Sequence, residues 1–353
     1  LKKELSALDA KYEAQKIAFG PIYFQAVMAM LELGVLELIG KHRNGISLEQ
    51  LREKSEVSEY GIELLVEAAE TIDVIRKNEA GLYSITKIGF YLLKDEMTRV
   101  NLNYMKYVCY KGADFMKESI VEGKPLGLKT LGDWPTLYEG LSQFPEKVKT
   151  AWFDFDHYYS DDAFPYALEI VFREKPRRIF DVGGNTGKWA MACCDYNEDV
   201  NVTILDLPGQ LNVARENAAA RQLLERIGFH QINLLDARQL IPQGADAIWM
   251  SQFLDCFSKS EILQILKNAH QAAGPDTILY IMEPFFDNQN YDAAKYSLVA
   301  TSLYFTIMAN GNSKMYSVEV MESLVKEAGF VVEEVFPLIG DSYHTILKCR
   351  KVE

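Results

Sequence analysis

The sequence predicts a doubly wound α/β domain preceded by a smaller, mostly helical domain. Three observations carry that reading. Strands alternate with helices after Lys175-Pro176, a glycine turn ends the first of those strands, and the opening segment runs helix, helix, helix, hairpin. A length of 353 residues suits two domains, and 48% hydrophobic with 25% charged residues is an ordinary globular composition, which excludes disorder, collagen and a disulfide scaffold.

The N-terminal elements begin with two helical stretches across 14–40, broken near Gly20 and Pro21. The second, 22–39, is apolar on more than one face and is expected to be buried. Ser47-Leu-Glu-Gln50 has the spacing of a capping box and starts another helix. A helix over 58–72 and a strand pair, 75–77 and 82–85, complete a winged-helix order. That order invites a DNA-binding reading, which the recognition helix opposes: it carries Glu59, Glu63, Glu67 and Glu70 and no Lys or Arg. Neither it nor a net charge of -13 supplies the cations that release counterions from phosphates, so no nucleic-acid partner is expected.

The boundaries expected are 1–100 for this domain, 101–170 for a helical bridge contributing to an acceptor pocket, and 171–353 for the α/β domain. The bridge is rich in aromatics, among them Tyr104, Tyr107, Tyr110, Trp134, Trp152, Phe153, Phe155, Tyr158 and Tyr159. They read either as the wall of an aromatic pocket or as core and interface residues.

In the α/β domain the strands expected are 177–182, 202–207, 230–235, 245–250 and 277–282. Helices start at Lys188, Gln210, Ser258 and Asp292, the third with a Ser258/Glu261 capping box. A helix at 317–329 and strands at 331–338 and 343–350 close the chain. No uninterrupted apolar run is long enough to span a bilayer, and Leu1, Lys2, Lys3 and Glu4 do not open a signal peptide, so no membrane partner is expected. The five cysteines (Cys109, Cys193, Cys194, Cys256, Cys349) show no CxxC spacing. They suit free thiols in the cytoplasm and no metal site.

The first strand runs into Asp181-Val-Gly-Gly-Asn-Thr-Gly187. Gly183, Gly184 and Gly187 let the backbone turn tightly and approach a ligand, beside the free N–H groups of the helix that follows. The spacing is neither GxGxxG nor a P-loop, and Asp181 suits an amino group better than a pyrophosphate. Asp206 ends the second strand, where a carboxylate accepts both hydroxyls of a ribose. Asp236 ends the third, placed for an adenine amino group. Three carboxylates at successive strand ends describe S-adenosylmethionine better than NAD; the alternative is that Asp206 and Asp236 are turn or cap residues.

The segments Ile179-Phe-Asp-Val-Gly-Gly-Asn-Thr-Gly187, Leu205-Asp-Leu-Pro208, Gly244-Ala-Asp246 and Ile281-Met-Glu283-Pro284 together resemble the class I, S-adenosylmethionine-dependent O-methyltransferases of the plant-caffeate and bacterial-polyketide type. The resemblance implies a Rossmann-like methyltransferase domain with a mostly parallel seven-stranded sheet, a winged-helix-like dimerisation domain, a homodimer and a small, aromatic, hydroxylated acceptor. It puts the methionine part of the cofactor on Gly183 and Gly184, the ribose on Asp206, and the adenine on Asp236 and Ala237. Ser251 stands where relatives have a cation, and Phe257 keeps their aromatic contact.

At the catalytic segment the resemblance breaks. The family histidine position is Asp255, within Phe253-Leu-Asp-Cys-Phe257; Glu283 keeps one supporting acid, and the other falls on Met315. Asp255 reads as a base sharing a proton with Glu283, as a cap of the next helix, or as a hydrogen-bonding contact to the acceptor. Two alternatives to methylation stay open, a different chemistry on the retained cofactor and a cofactor-binding sensor. His157, in the aromatic segment, reads as a cleft residue or as a core histidine.

Overall fold

The computed structural model describes residues 4–341 and 343–352. They fall into two compact units that divide between Lys106 and Tyr107.

In the first unit α1 (Ala7–Glu32) starts at Ser6, whose hydroxyl accepts from the Asp9 N–H. It runs unbroken through Gly20-Pro21, where the sequence suggests a break. An internal proline removes one backbone hydrogen bond and crowds the preceding turn, at about 3 kcal/mol, yet the helix continues across it for 26 residues in all. The corner comes instead at Gly34, whose φ of +71° a side chain would strain, and α2 (Val35–Lys41) leaves α1 at 64°. The Ser47/Gln50 capping box opens α3 (Leu48–Lys54), and Ser58 caps α4 (Glu59–Thr71). β1 (Ile75–Lys77) and β2 (Tyr83–Ile85) pair antiparallel, and α5 (Lys87–Lys94) and α6 (Glu96–Tyr104) follow. Met30, Leu36, Ile39, Leu51, Ile62, Val66 and Val74 make the core. On α4, Glu63 pairs with Arg52 of α3.

The second unit takes in most of the expected bridge: α7 (Met116–Glu122), α8 (Leu137–Gly140), α9 (Glu146–Ser160) and α10 (Phe164–Phe172) all lie within it. Then come β3 (Arg178–Val182), α11 (Lys188–Tyr196), β4 (Asn201–Asp206), α12 (Pro208–Ala220), β5 (Ile227–Gln231) and β6 (Ala247–Ser251). They are followed by α13 (Lys259–Ala272), β7 (Ile278–Glu283), α14 (Asp292–Tyr304), α15 (Val318–Glu327), β8 (Phe330–Ile339) and β9 (His344–Lys351). The strand order is β5-β4-β3-β6-β7-β9-β8, parallel except for β9, which runs antiparallel to both neighbours.

Residues from α10, α11 and α12 pack on one face of the sheet; residues from α13 and α15 pack on the other. Both faces are therefore covered, which is why β6 and β7 read as continuous apolar runs. The order reverses at β3, between β4 and β6, so the crevice beyond the carboxyl ends of these strands is the natural ligand site. One strand differs from expectation. β5 covers 227–231 instead of 230–235, because Ile227 to Gln231 pair in register with Val202 to Asp206. The apolar Leu234 and Leu235 lie in a loop, where the Asn233 N–H is held by Gln239 and the Leu235 N–H by Asn233. Among the described residues no single helix is long and apolar enough to cross a membrane.

Candidate functional site

The glycine turn follows β3 and is tied down before any ligand arrives. The Gly183 N–H donates to Leu205 O at 2.9 Å, and Asn217 Nδ2 donates to Thr186 O at 3.0 Å. Gly183 and Gly187 take φ of +74° and +81°. A Cβ on Gly183 would meet the Phe253 ring at 2.2 Å, and one on Gly184 would meet Asp181 Oδ2 at 2.5 Å. A side chain at either position would therefore have to displace Phe253 or Asp181.

Beneath it, Asp181 is 3% exposed and its Oδ2 has no hydrogen-bond partner among the described residues. Burial and the Asp206 charge push its carboxyl up to about 8, partly offset by the Ala190 N–H in the first turn of α11. An orphaned, buried oxygen below a bare backbone turn fits a ligand bearing an ammonium group.

The other two strand-end carboxylates differ in what they have left to offer. Asp206 accepts the Asn185 N–H on Oδ2 at 2.9 Å and the Leu207 N–H on Oδ1 at 2.7 Å. A carboxylate has about four acceptor positions, so Asp206 keeps two, the number a ribose diol needs. Burial pushes it up to about 6. Asp236 is saturated by its own loop: Oδ1 accepts from the Arg238 N–H (3.1 Å) and Nε (2.8 Å), Oδ2 from Arg238 Nη2 (2.8 Å) and Gln239 Nε2 (3.2 Å). These bonds hold its carboxyl well below the usual range. Ala237, next to it, lines a shallow groove with Leu240 and Leu263.

Ser251 ends β6 opposite Met282, and the chain continues into a 3₁₀ turn carrying Asp255. Glu283, at the end of β7, holds that turn: its Oε1 accepts the Phe253 N–H at 3.2 Å and the Leu254 N–H at 2.9 Å. Its Oε2 is buried without a hydrogen-bond partner among the described residues, and burial together with the Asp255 charge raises its carboxyl well above the ordinary range. Asp255 is 4% exposed and pushed up to about 6 by burial, with its own turn's N–H groups and the Cys256 thiol (3.5 Å) pulling the other way. Like charges in an apolar cleft disfavour each other's ionisation, so burial raises both carboxyls, and that of Glu283, which also faces the Asp255 charge, the further. The next helix is capped by Ser258 with Glu261, which leaves Asp255 free of that duty.

Phe257 packs edge-on against Phe253 at 4.9 Å, and its carbonyl accepts from the Tyr316 hydroxyl at 2.7 Å. Met315 is buried and offers no proton-transfer group. Asn310 Nδ2 donates to Cys256 O, while Asn310 Oδ1 accepts the Ser313 hydroxyl at 2.8 Å, so the Asp255 turn and the 310–313 segment are fastened together.

Sequence reading did not single out Asp156, Tyr138, Asn185 or Asn310. Asp156 of α9 accepts from Asn185 Nδ2 at 3.2 Å; burial and the charges of Asp255 and Asp161 push it up to about 7. Burial raises the pKa of the Tyr138 hydroxyl well above its ordinary value, with the Cys256, Tyr304 and Asp255 charges adding to it. His157 is half-buried, stacks on Phe153, and has Nδ1 4.0 Å from Asp156 Oδ2; burial and Lys188 lower its pKa. Cys193 and Cys194 are both buried in the α11 packing. Asn185 had the clearest available signal: a non-glycine residue inside the glycine turn, at φ +49°, where asparagine is tolerated.

Two family descriptions match the chain, a Dimerisation2-like domain over residues 11–81 and an O-methyltransferase domain over residues 166–331. Similar curated proteins include an L-tyrosine C(3)-methyltransferase of Streptomyces lavendulae, 23% identical across 89% of this chain and 85% of that protein. Another is a demethylspheroidene O-methyltransferase of Rhodobacter capsulatus, 25% identical across 89% of this chain and 75% of that protein. Among solved structures the S-adenosylmethionine-dependent methyltransferase SibL superposes with a TM-score of 0.73 at 24% identity, covering 99% of this chain and 100% of that one. The mitomycin 7-O-methyltransferase MmcR does so with 0.72 at 18% identity, covering 98% of each.

Proposed function

On the premise that the chain belongs to the S-adenosylmethionine-dependent O-methyltransferases, as its two matched domains show, we propose that it methylates the hydroxyl group of a small aromatic acceptor, with Asp255 as the base. The observation that carries this reading is the buried Asp255–Glu283 pair beside the glycine turn, which supplies one ionised carboxylate where the family places a histidine.

When bound, the cofactor supplies an electrophilic methyl group on a positively charged sulfur. Gly183 and Gly184 receive its methionine part, with Asp181 below them for the ammonium. Asp206 takes the ribose diol on its two unused acceptor positions. Asp236, beside Ala237, takes the adenine amino group in competition with Arg238. Phe257 and Phe253 close the apolar side, and Ser251 offers a hydroxyl where relatives have a cation. Asp255 would accept the acceptor's hydroxyl proton, leaving the oxygen to take the methyl group that the bound cofactor would supply. Glu283 fixes the Asp255 turn through the Phe253 and Leu254 N–H groups, and its higher pKa leaves Asp255 the more readily ionised of the two.

The tyrosine C(3)-methyltransferase among the relatives favours a second reading, in which the same deprotonation lets a ring carbon take the methyl group. We further propose a homodimer. On α1, Leu8, Tyr12, Phe19 and Ile22 are exposed at the spacing of one helical face. All five cysteines are free thiols, in keeping with a reducing compartment such as the cytoplasm.

The test is transfer of isotope-labelled methyl from S-adenosylmethionine across a panel of hydroxylated aromatics, with Asp206→Ala as the blank. Labelled product together with S-adenosylhomocysteine supports the proposal, and the labelled position separates oxygen from carbon. Turnover without S-adenosylhomocysteine points to other chemistry on the cofactor. Binding without any turnover points to a sensor.

A further inference from the structure

The 3₁₀ turn that carries Asp255 has little to hold it from within. It is three residues long, and its two closing bonds, Cys256 N–H to Phe253 O and Phe257 N–H to Leu254 O, are both 3.2 Å. Gln252 leads into it at φ +45°, a conformation that a side chain disfavours. Among the described residues, the hydrogen bonds of the Asp255 carboxyl come from the turn itself, from the Cys256 thiol and the N–H groups of Asp255 and Cys256. Where the carboxyl stands is therefore set by where the turn stands. Glu283 holds the N–H side of the turn. The carbonyl side is held by two residues that the methyl-transfer chemistry leaves without a role: Asn310 Nδ2 donates to Cys256 O, and the Tyr316 hydroxyl donates to Phe257 O at 2.7 Å.

Both donors are themselves fixed. Asn310 Oδ1 accepts the Ser313 hydroxyl at 2.8 Å and the N–H groups of Ser313 and Asn312 at 3.2 and 3.3 Å, so the amide presents its NH₂ side to Cys256. A turn of π-helix, Phe305–Ala309, delivers Asn310 from the end of α14, with the Asn310 and Gly311 N–H groups both donating to Phe305 O at 3.1 Å. Tyr316 is buried, and the Met315 N–H beside it donates to Ser302 Oγ of α14 at 3.0 Å. Resting on the reading of Asp255 as the base, we propose that Asn310 and Tyr316 are positioning residues for methyl transfer, which hold the base by the carbonyls of its own turn. Met315, at the position of the family's second acid, has no side-chain donor or carboxylate to offer the turn; the neighbouring Tyr316 supplies a hold through the turn's backbone. A displacement of about 1 Å from the productive geometry costs on the order of a hundredfold in rate, so loosening one of two holds is expected to cost about tenfold.

The test makes Tyr316→Phe, which removes only the hydroxyl, and Asn310→Asp, which keeps the shape and the acceptor while removing the donor, each in the native protein and in Asp255→Asn. Formation of S-adenosylhomocysteine with the hydroxylated aromatic that takes up labelled methyl gives kcat. In the native background each substitution is expected to lower kcat about tenfold, with the KM for S-adenosylmethionine within about threefold of native. Calorimetric binding of S-adenosylhomocysteine at native stoichiometry shows that the variants are folded. In Asp255→Asn, where no base is left to place, the same substitutions are expected to cost less than about twofold. A merely structural role lowers both backgrounds alike. A native kcat in either variant, or an equal loss in both backgrounds, overturns the proposal and leaves Asp255 as the base. If Asp255→Asn itself turns over at the native rate, or no acceptor takes up methyl, the reading of Asp255 as the base falls and the positioning role falls with it.

Discussion

Replacing Asp255 by Asn removes a proton acceptor with almost no change of shape. An ordinary carboxylate lies about six pKa units below a phenol, a deficit of roughly 8 kcal/mol for full proton transfer. Burial lifts Asp255 from 3.8 to about 6. The gap narrows to about four units, roughly 5 kcal/mol, so the apolar cleft recovers about 3 kcal/mol. General base catalysis contributes about a hundredfold to ten-thousandfold, and kcat for Asp255→Asn is expected to fall by at least the lower figure. The base acts as the anion, so the native rate is expected to drop about tenfold per pH unit below the Asp255 pKa, and the variant to lack this acid limb. Initial rates of S-adenosylhomocysteine formation between about pH 5 and about pH 9 give the profile, with calorimetry confirming cofactor affinity within about threefold of native. A variant rate close to native, or an acid limb that persists in Asp255→Asn, refutes Asp255 as the base.

Four further outcomes are expected. Asp206→Ala removes two charge-assisted bonds to the ribose and weakens S-adenosylhomocysteine binding about a hundredfold, whereas Asp236→Ala, whose carboxylate is already satisfied by Arg238, costs less than about tenfold; calorimetric titration checks both. Gly184→Ala forces a Cβ against Asp181 Oδ2 and Ile204, and thermal melts are expected to show about 1 to 3 kcal/mol lost, as overpacking typically costs. Asp156, Asp181 and Asp206 all have folded-state pKa values above those of the unfolded chain. Their contribution is complete below the unfolded value near 3.8 and lost as pH rises through about 6 to about 8, so the ligand-free Tm is expected to rise as pH is lowered from about 9 to about 6. Phe19→Asp, on the exposed face of α1, is expected to shift the protein toward monomer in sedimentation measurements.

Much of the architecture was legible because its signals are local. The Ser47/Gln50 and Ser258/Glu261 capping boxes mark helix starts by themselves, and β6 and β7 are apolar runs that only a sheet covered on both faces would bury. The break expected in α1 does not occur because a proline disfavours a helix locally without fixing where it ends, and the corner comes where Gly34 takes a positive φ. β5 was misplaced because Leu234 and Leu235 look like strand, and register against β4 is set by partners distant in sequence. In the site, the glycine turn and strand-end carboxylates announce themselves by spacing. Asp156 does not: it lies in a helical aromatic run, and folding alone brings α9 to Asn185. Nor does sequence reveal that Asp236 is already saturated while Asp206 keeps two acceptor positions.

The account stands or falls on the crevice beyond β3 and β4 receiving a charged sulfur nucleoside. Calorimetric titration of S-adenosylmethionine into the native protein and into Asp206→Ala measures this directly. Saturable binding at one cofactor per chain, weakened about a hundredfold in the variant, is the expected result. Absence of binding to the native protein, or equal affinity in both, contradicts it.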